Sequence, residues 1–148
     1  MADMTQYRGR LIDHVHLRVK DLNAAKRFYR AVLAALGREP TFDSDQAIAF
    51  DELWIDAADE HGPSRVHLAF QAADQDAVKR FYEAGLKAGG RDNGAPGERT
   101  YHPGYYACFL VDPDGHNVEA VFHGPSTRSA DAVATTPGNV MTLQNSFA

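Results

Sequence analysis

A chain that repeats itself must build the same unit twice, and that constraint dominates this sequence. Displacing the chain by 53 residues (67 − 14) lays His14 on His67. The stretch from His14 to Gly37 reads HVHLRVKDLNAAKRFYRAVLAALG, and that from His67 to Gly90 reads HLAFQAADQDAVKRFYEAGLKAGG. Without a gap, 11 of the 24 positions are identical, among them the Lys-Arg-Phe-Tyr block. Two unrelated amphipathic helices would share a period but not identities, so the chain is read as a duplication.

Both copies predict the same order of elements. A strand comes first, over 11–19 and again over 66–72. A helix follows, with Leu22, Ala25, Phe28, Tyr29, Val32, Leu33 and Leu36 on one face of the first copy. In the second copy Val78, Phe81, Tyr82, Gly85, Leu86 and Gly89 hold that face. Asp21 or Asn23, and Asp74 or Asp76, are the candidate N-caps. Gly37 and Gly89-Gly90 suit left-handed C-terminal caps. Shorter strands are expected over 46–50, 53–57, 105–111 and 117–123, with a turn at Asp112-Pro113-Asp114-Gly115 between the last two. Arg91 to Gly104, rich in Gly and Pro, reads as a long loop with at most one short strand. The expected architecture is α+β, with paired βαβββ modules whose helices cover one face of a curved, cup-shaped mixed sheet. The predicted domain is 1–123, with module one over about 11–58 and module two over about 65–123. Residues 124–148 show no period and read as a surface arm or flexible tail, or as an arm across a neighbouring subunit.

Composition narrows the function. Fifteen Lys+Arg against 20 Asp+Glu leave a net charge of −5, without the basic patch a nucleic-acid binder needs. No apolar run approaches the ~20 residues of a membrane helix. MADMTQYRGR lacks the apolar core of a secretory signal, so the cytoplasm is expected. A single cysteine, Cys108, excludes a disulfide scaffold and a multi-cysteine zinc site, and reads as structural. His116 reads as an exposed turn residue.

Metal or acid–base chemistry must therefore come from histidines and carboxylates. His14 and His67 are equivalent by repeat, each on the first strand of its copy. Packed about a pseudo-two-fold axis, two such imidazoles can face one metal ion. Glu119 lies within Val118-Glu119-Ala120-Val121, where a carboxylate is costly unless it is paired or metal-bound. The bland alternatives are two hydrogen-bonded core histidines and a solvated strand glutamate. His16 and Arg18 share strand parity with His14 and should face the same side.

These residues carry a resemblance. His14-Val-His-Leu-Arg-Val-Lys-Asp followed by Lys26-Arg-Phe-Tyr resembles the opening of the vicinal oxygen chelate superfamily, which includes glyoxalase I, extradiol dioxygenases, fosfomycin-resistance enzymes and bleomycin-binding proteins. Val66-His67-Leu-Ala-Phe is similar to its second histidine strand, and Asp112-Pro-Asp-Gly-His-Asn-Val-Glu119 to its closing turn and glutamate. The resemblance spans 11–123. It implies a cup around one divalent metal (Zn, Ni, Mn or Fe) held by His14, His67 and Glu119, a small-molecule substrate, and a homodimer as one arrangement. Asp56 occupies the place of the family's occasional fourth ligand and reads as the pseudo-symmetric partner of Glu119. It is a candidate ligand or base, with a solvated strand end as the alternative. Arg18 resembles the arginine that holds a substrate carboxylate in glyoxalase I, the alternative being a structural ion pair. Trp54, Tyr101, His102 and Tyr105 are candidate substrate contacts, and His16, Asp56 and Glu119 candidate proton carriers.

The leading functional expectation is lyase or isomerase chemistry of the glyoxalase type on a small oxygenated substrate. An Fe(II) extradiol-type dioxygenase is the runner-up. Phe109 weighs against it, because ring-cleaving relatives carry a tyrosine about ten residues before the closing glutamate. Thiol addition of the fosfomycin type comes third. A drug- or metabolite-sequestering protein of the bleomycin-resistance type is the non-catalytic alternative.

Overall fold

The computed structural model describes residues 6–138. Its elements are β1 (Gln6–Arg8), β2 (Val15–Val19), α1 (Leu22–Ala35), β3 (Phe42–Asp43), β4 (Ala47–Phe50), β5 (Leu53–Ala57), β6 (His67–Gln71), α2 (Gln75–Lys87), β7 (Arg91–Glu98), β8 (Tyr106–Val111), β9 (Asn117–Phe122) and β10 (Val133–Thr135). The paired βαβββ modules are both present, in an α+β fold. One four-stranded mixed sheet runs β2-β5-β4-β3 and the other β6-β9-β8-β7, with the outer pair parallel in each.

The helices begin where short acidic side chains can cap them. Asp21 accepts from the Ala24 N–H at 3.0 Å and Asp74 from the Ala77 N–H at 2.7 Å, which settles both N-caps. Gly37 and Gly89, at φ +79° and +100°, follow the last turns in the left-handed region that side chains avoid. Ala25, Phe28, Tyr29, Val32 and Leu33 of α1 are buried, as are Ala77, Val78, Phe81 and Gly85 of α2. Leu86, expected on the buried face, is exposed. The two helices meet at Gly85. A Cβ there would lie 2.2 Å from Leu110, 3.0 Å from Val32 and 3.3 Å from Phe28, so glycine lets α2 settle against α1 and β8. One continuous apolar core results, running from Leu17 and Ile55 through Phe28 and Phe81 to Cys108 and Val118. Cys108 is structural there, its thiol pushed up to about 11 by burial.

The segment expected as a long loop contains an eight-residue strand. β7 pairs with β8 through two register shifts around Gly94 and Gly97. Gly and Pro weakened its strand signal because they sit at these irregularities.

The segment joining the modules is stitched to both. The Ser64 N–H donates to the Arg18 carbonyl and its Oγ accepts from the Arg18 N–H, each at 3.0 Å. Its carbonyl accepts from His116 Nε2 at 2.7 Å. His116 is thus not turn-exposed: it is 2% exposed, with Nδ1 2.9 Å from Asp112. The Asp112 carboxylate also takes the backbone N–H groups of Asp114 and His116 and, at 2.5 Å, the Tyr29 hydroxyl from the other module. Asp112, His116 and Tyr29 form one buried polar knot beneath the Asp112–Gly115 turn.

Register corrects one expectation. Val15 pairs with Leu53 and His16 with Trp54, whereas Leu68 pairs with Val118 and Ala69 with Glu119. Since Leu68 is the counterpart of Val15, Trp54 rather than Asp56 is the counterpart of Glu119. Asp56 corresponds to Val121.

Within the stretch expected as an arm, β10 pairs antiparallel with β1. Arg128 Nη1 ties the approach to Gln71 of β6 at 2.7 Å. Residues 139–148 lie outside the described part. No helix among the described residues is long and apolar enough to cross a membrane.

Candidate functional site

Strand alternation sorts the side chains of each sheet. Leu17 and Val19 of β2 turn to the core, as do Leu53 and Ile55 of β5. His16, Arg18, Trp54 and Asp56 therefore share the face away from the helices. In the second module the corresponding open face carries His67 and Glu119.

Glu119 is only 2% exposed. Its Oε1 lies 2.9 Å from His67 Nε2, and its Oε2 accepts the hydroxyl of Tyr105. His67 Nδ1 is 3.1 Å from the Asn117 carbonyl, which can only accept, so Nδ1 carries a proton. Nε2 then meets a carboxylate oxygen, and that contact needs a cation between them: a second proton, or a metal. A metal-ligating histidine holds its other N–H in the same way. Burial, followed by the bond to Glu119, pushes the Tyr105 hydroxyl up to about 12. The Phe109 ring stacks on His67, centroids 6.0 Å apart, and Arg99 lies over Phe109 at 5.5 Å.

Beyond Tyr105 an aromatic wall continues. Tyr101 and His102 meet its ring edge-on at 4.9 and 5.3 Å. His102 Nε2 lies 2.9 Å from Nδ1 of His123, a residue that sequence reasoning passed over. His102 Nδ1 is 2.8 Å from the Pro103 carbonyl.

The first module presents a different set. His16 Nε2 is 2.7 Å from Asp56 Oδ1, and the Trp54 indole N–H donates to Asp56 Oδ2 at 3.2 Å. Phe42 stacks on Trp54 with centroids 5.1 Å apart. A cleft of about 350 Å³ opens between His14, His16, Asp51 and Trp54. Arg18 Nη1 forms a partly exposed ion pair with Asp59 at 3.3 Å.

His14 does not join the His67–Glu119 pair. It precedes β2, is 67% exposed and bonds through Nδ1 to Asp13 at 2.7 Å. Among the described residues no three His, Cys, Asp or Glu side chains are grouped so as to hold a metal. His67 and Glu119 suit a divalent ion by donor chemistry, but within one chain they are two donors where three are needed.

Paired βαβββ modules, each with one sheet face turned away from the helices, define a duplicated α+β fold. The chain belongs to the Glyoxalase/Bleomycin resistance protein/Dioxygenase superfamily, which its residues 11–120 match. It is similar in structure to a glyoxalase/bleomycin resistance protein from Albidiferax ferrireducens T118, at 27% identity and TM-score 0.66, covering 76% of this chain and 98% of that one. A glyoxalase-related enzyme from Fulvimarina pelagi matches at 22% identity and TM-score 0.64, over 87% and 99% of the two chains. Lactoylglutathione lyase from Agrobacterium tumefaciens matches at 22% and 0.56, over 77% and 94%. The last two likenesses show the fold alone. No curated protein matches the chain.

Proposed function

We propose that this chain is a divalent-metal-dependent enzyme of lyase or isomerase type, acting on a small oxygenated organic substrate, and that two copies complete its centre. His67 and Glu119 of one copy would hold the metal together with His14 of the other. The observation that carries this reading is the buried Glu119, gripped by His67 and Tyr105, while His14, the repeat equivalent of His67, stands exposed on the other module. When bound, the ion would supply Lewis-acid polarisation of two neighbouring substrate oxygens. The chain's own residues do the rest. Tyr105 fixes the Glu119 carboxylate. Asp56 anchors His16 through Nε2, leaving Nδ1 to take and return a proton. Trp54 and Phe42 wall the substrate. The 1–123 unit is the working domain, and the cytoplasm is its setting.

The non-catalytic alternative, a sequestering protein, draws support from the lack, among the described residues, of a third donor grouped with His67 and Glu119. One experiment separates them. Metal content is measured on protein purified without added metal, for the parent chain and for His14→Ala, His67→Ala and Glu119→Ala. Near-stoichiometric metal in the parent and loss in each variant is expected. Zn, Ni or Mn supports lyase or isomerase chemistry, whereas Fe moves the reading to a dioxygenase. His14→Ala and Glu119→Ala are then unfolded together and refolded. A shared centre restores one intact site in each mixed dimer, so about a quarter of parental metal binding returns if pairing is random. Metal binding that does not return on mixing overturns the two-copy centre. Unchanged metal in all variants overturns the site.

A further inference from the structure

We propose that Arg99 is the oxyanion-binding residue of the second module's open face, so that the substrate carries a carboxylate or phosphoryl group beside its reacting oxygens. The inference rests on the reading of the His67–Glu119 face as a substrate site, but not on a metal being there.

Arg99 follows β7, the glycine-interrupted strand. Its Nη2 donates to the Ala95 carbonyl at 2.8 Å and Nη1 to the Glu98 carbonyl at 3.3 Å. The guanidinium has five N–H donors, and these bonds leave the others unspent. It lies 5.5 Å from the Phe109 ring centre, within cation–π range. Glycines make its seat: a Cβ at Gly94 would come 3.2 Å from Nη2 and 3.1 Å from Phe109, and one at Gly97 would come 3.1 Å from Nη1.

The seat belongs to the site. Gly94 pairs with Phe109, Phe109 pairs with Glu119, and the Phe109 ring stacks on His67. Adjacent strands run about 4.8 Å apart, so an anion on Arg99 sits within a small molecule's reach of Glu119. Both Glu119 oxygens are occupied, by His67 and Tyr105, and among the described residues no carboxylate ion-pairs with Arg99. A half-buried guanidinium held only by carbonyls and a ring is a cation that lacks its anion. The planar fork suits bidentate recognition of a carboxylate or phosphoryl group. Arg18, the arginine expected in this role, is already paired with Asp59.

The test is direct binding to metal-free protein, with pyruvate and inorganic phosphate as separate probes. Each is titrated while the Arg99 guanidinium resonance is followed by NMR. At least one probe should bind and shift that resonance. Binding should weaken tenfold or more in Arg99→Gln and recover in part in Arg99→Lys, with both variants melting as the parent does. Pyruvate alone responding assigns a carboxylate, phosphate alone a phosphoryl group, and both a general oxyanion seat. No binding of either probe, or parental affinity in Arg99→Gln, overturns the proposal. So does loss in Arg18→Gln with retention in Arg99→Gln. Metal content of Arg99→Gln, read in parallel, should equal the parent's, so a failed metal centre and a failed anion seat give different results.

Discussion

His67 and His116 each face an acceptor on both ring nitrogens, and the difference lies in their surroundings. His67 is half exposed on the open face, where a cation from solvent can reach its contact with Glu119. His116 is sealed, and its Asp112 bond, outweighing burial, raises its pKa. Burial pushes Asp112 up, yet the bonds from His116 and Tyr29 hold it below the usual carboxylate range. The His116 contribution to stability is complete below its unfolded value of 6.5 and disappears as pH rises through the raised native one. The Asp112 contribution is complete above 3.8 and disappears as pH falls through its lowered native value. Urea unfolding of the parent and His116→Gln should show a stability gap widest between the unfolded values of Asp112 and His116, 3.8 and 6.5, that narrows as pH rises through the raised native value of His116. A gap that is flat or widens refutes the buried imidazolium. At the open face, Tyr105→Phe removes the hydroxyl that donates to Glu119, and the proposed metal centre then requires metal affinity to fall about 10–100-fold in competition with a chelating indicator. An unchanged affinity would show that Tyr105 does not orient Glu119. His67 and Glu119 were readable in the sequence because repetition marks one and an apolar strand makes the other costly. Arg99 was not, because its place depends on how a glycine-rich strand bulges.

The helices were the most legible elements, since amphipathic period, acidic N-caps and trailing glycines agree in both copies. β7 was the least legible. Its sequence, RDNGAPGE, satisfies no strand pattern, and only pairing with β8 holds it extended. Gly85 sits between these cases: its place on the buried helix face was readable, but the reason for glycine was not. Its counterpart is Val32, so the repeat departs from itself where the helices touch. Gly85→Ala raises helix propensity yet drives a methyl into Leu110 and Val32. Overpacking should win, with a net loss of about 1–3 kcal/mol in urea denaturation. A more stable variant would mean that α2 can move off α1 without cost.

At the scale of the molecule, duplication was visible before any coordinate, but the way two modules share work was not. Identity between copies reports common ancestry of the backbone, not which faces meet. Register shows the divergence: where module two places Glu119, module one places Trp54, beside a His16–Asp56 pair with no equivalent in module two. The open faces have thus specialised, while the buried side fuses the modules. Their core is continuous, and the Tyr29 hydroxyl crosses between them to Asp112. The chain should therefore unfold as one cooperative unit, with calorimetric and van't Hoff enthalpies in agreement. Tyr29→Phe deletes a buried hydrogen bond to a charged acceptor and should cost about 1–3 kcal/mol. Because that bond spans the modules, the loss should lower the single transition without splitting it. A second, separate transition in the parent chain would mean that the modules are energetically independent, and that the helix contact at Gly85 and the polar knot do not couple them.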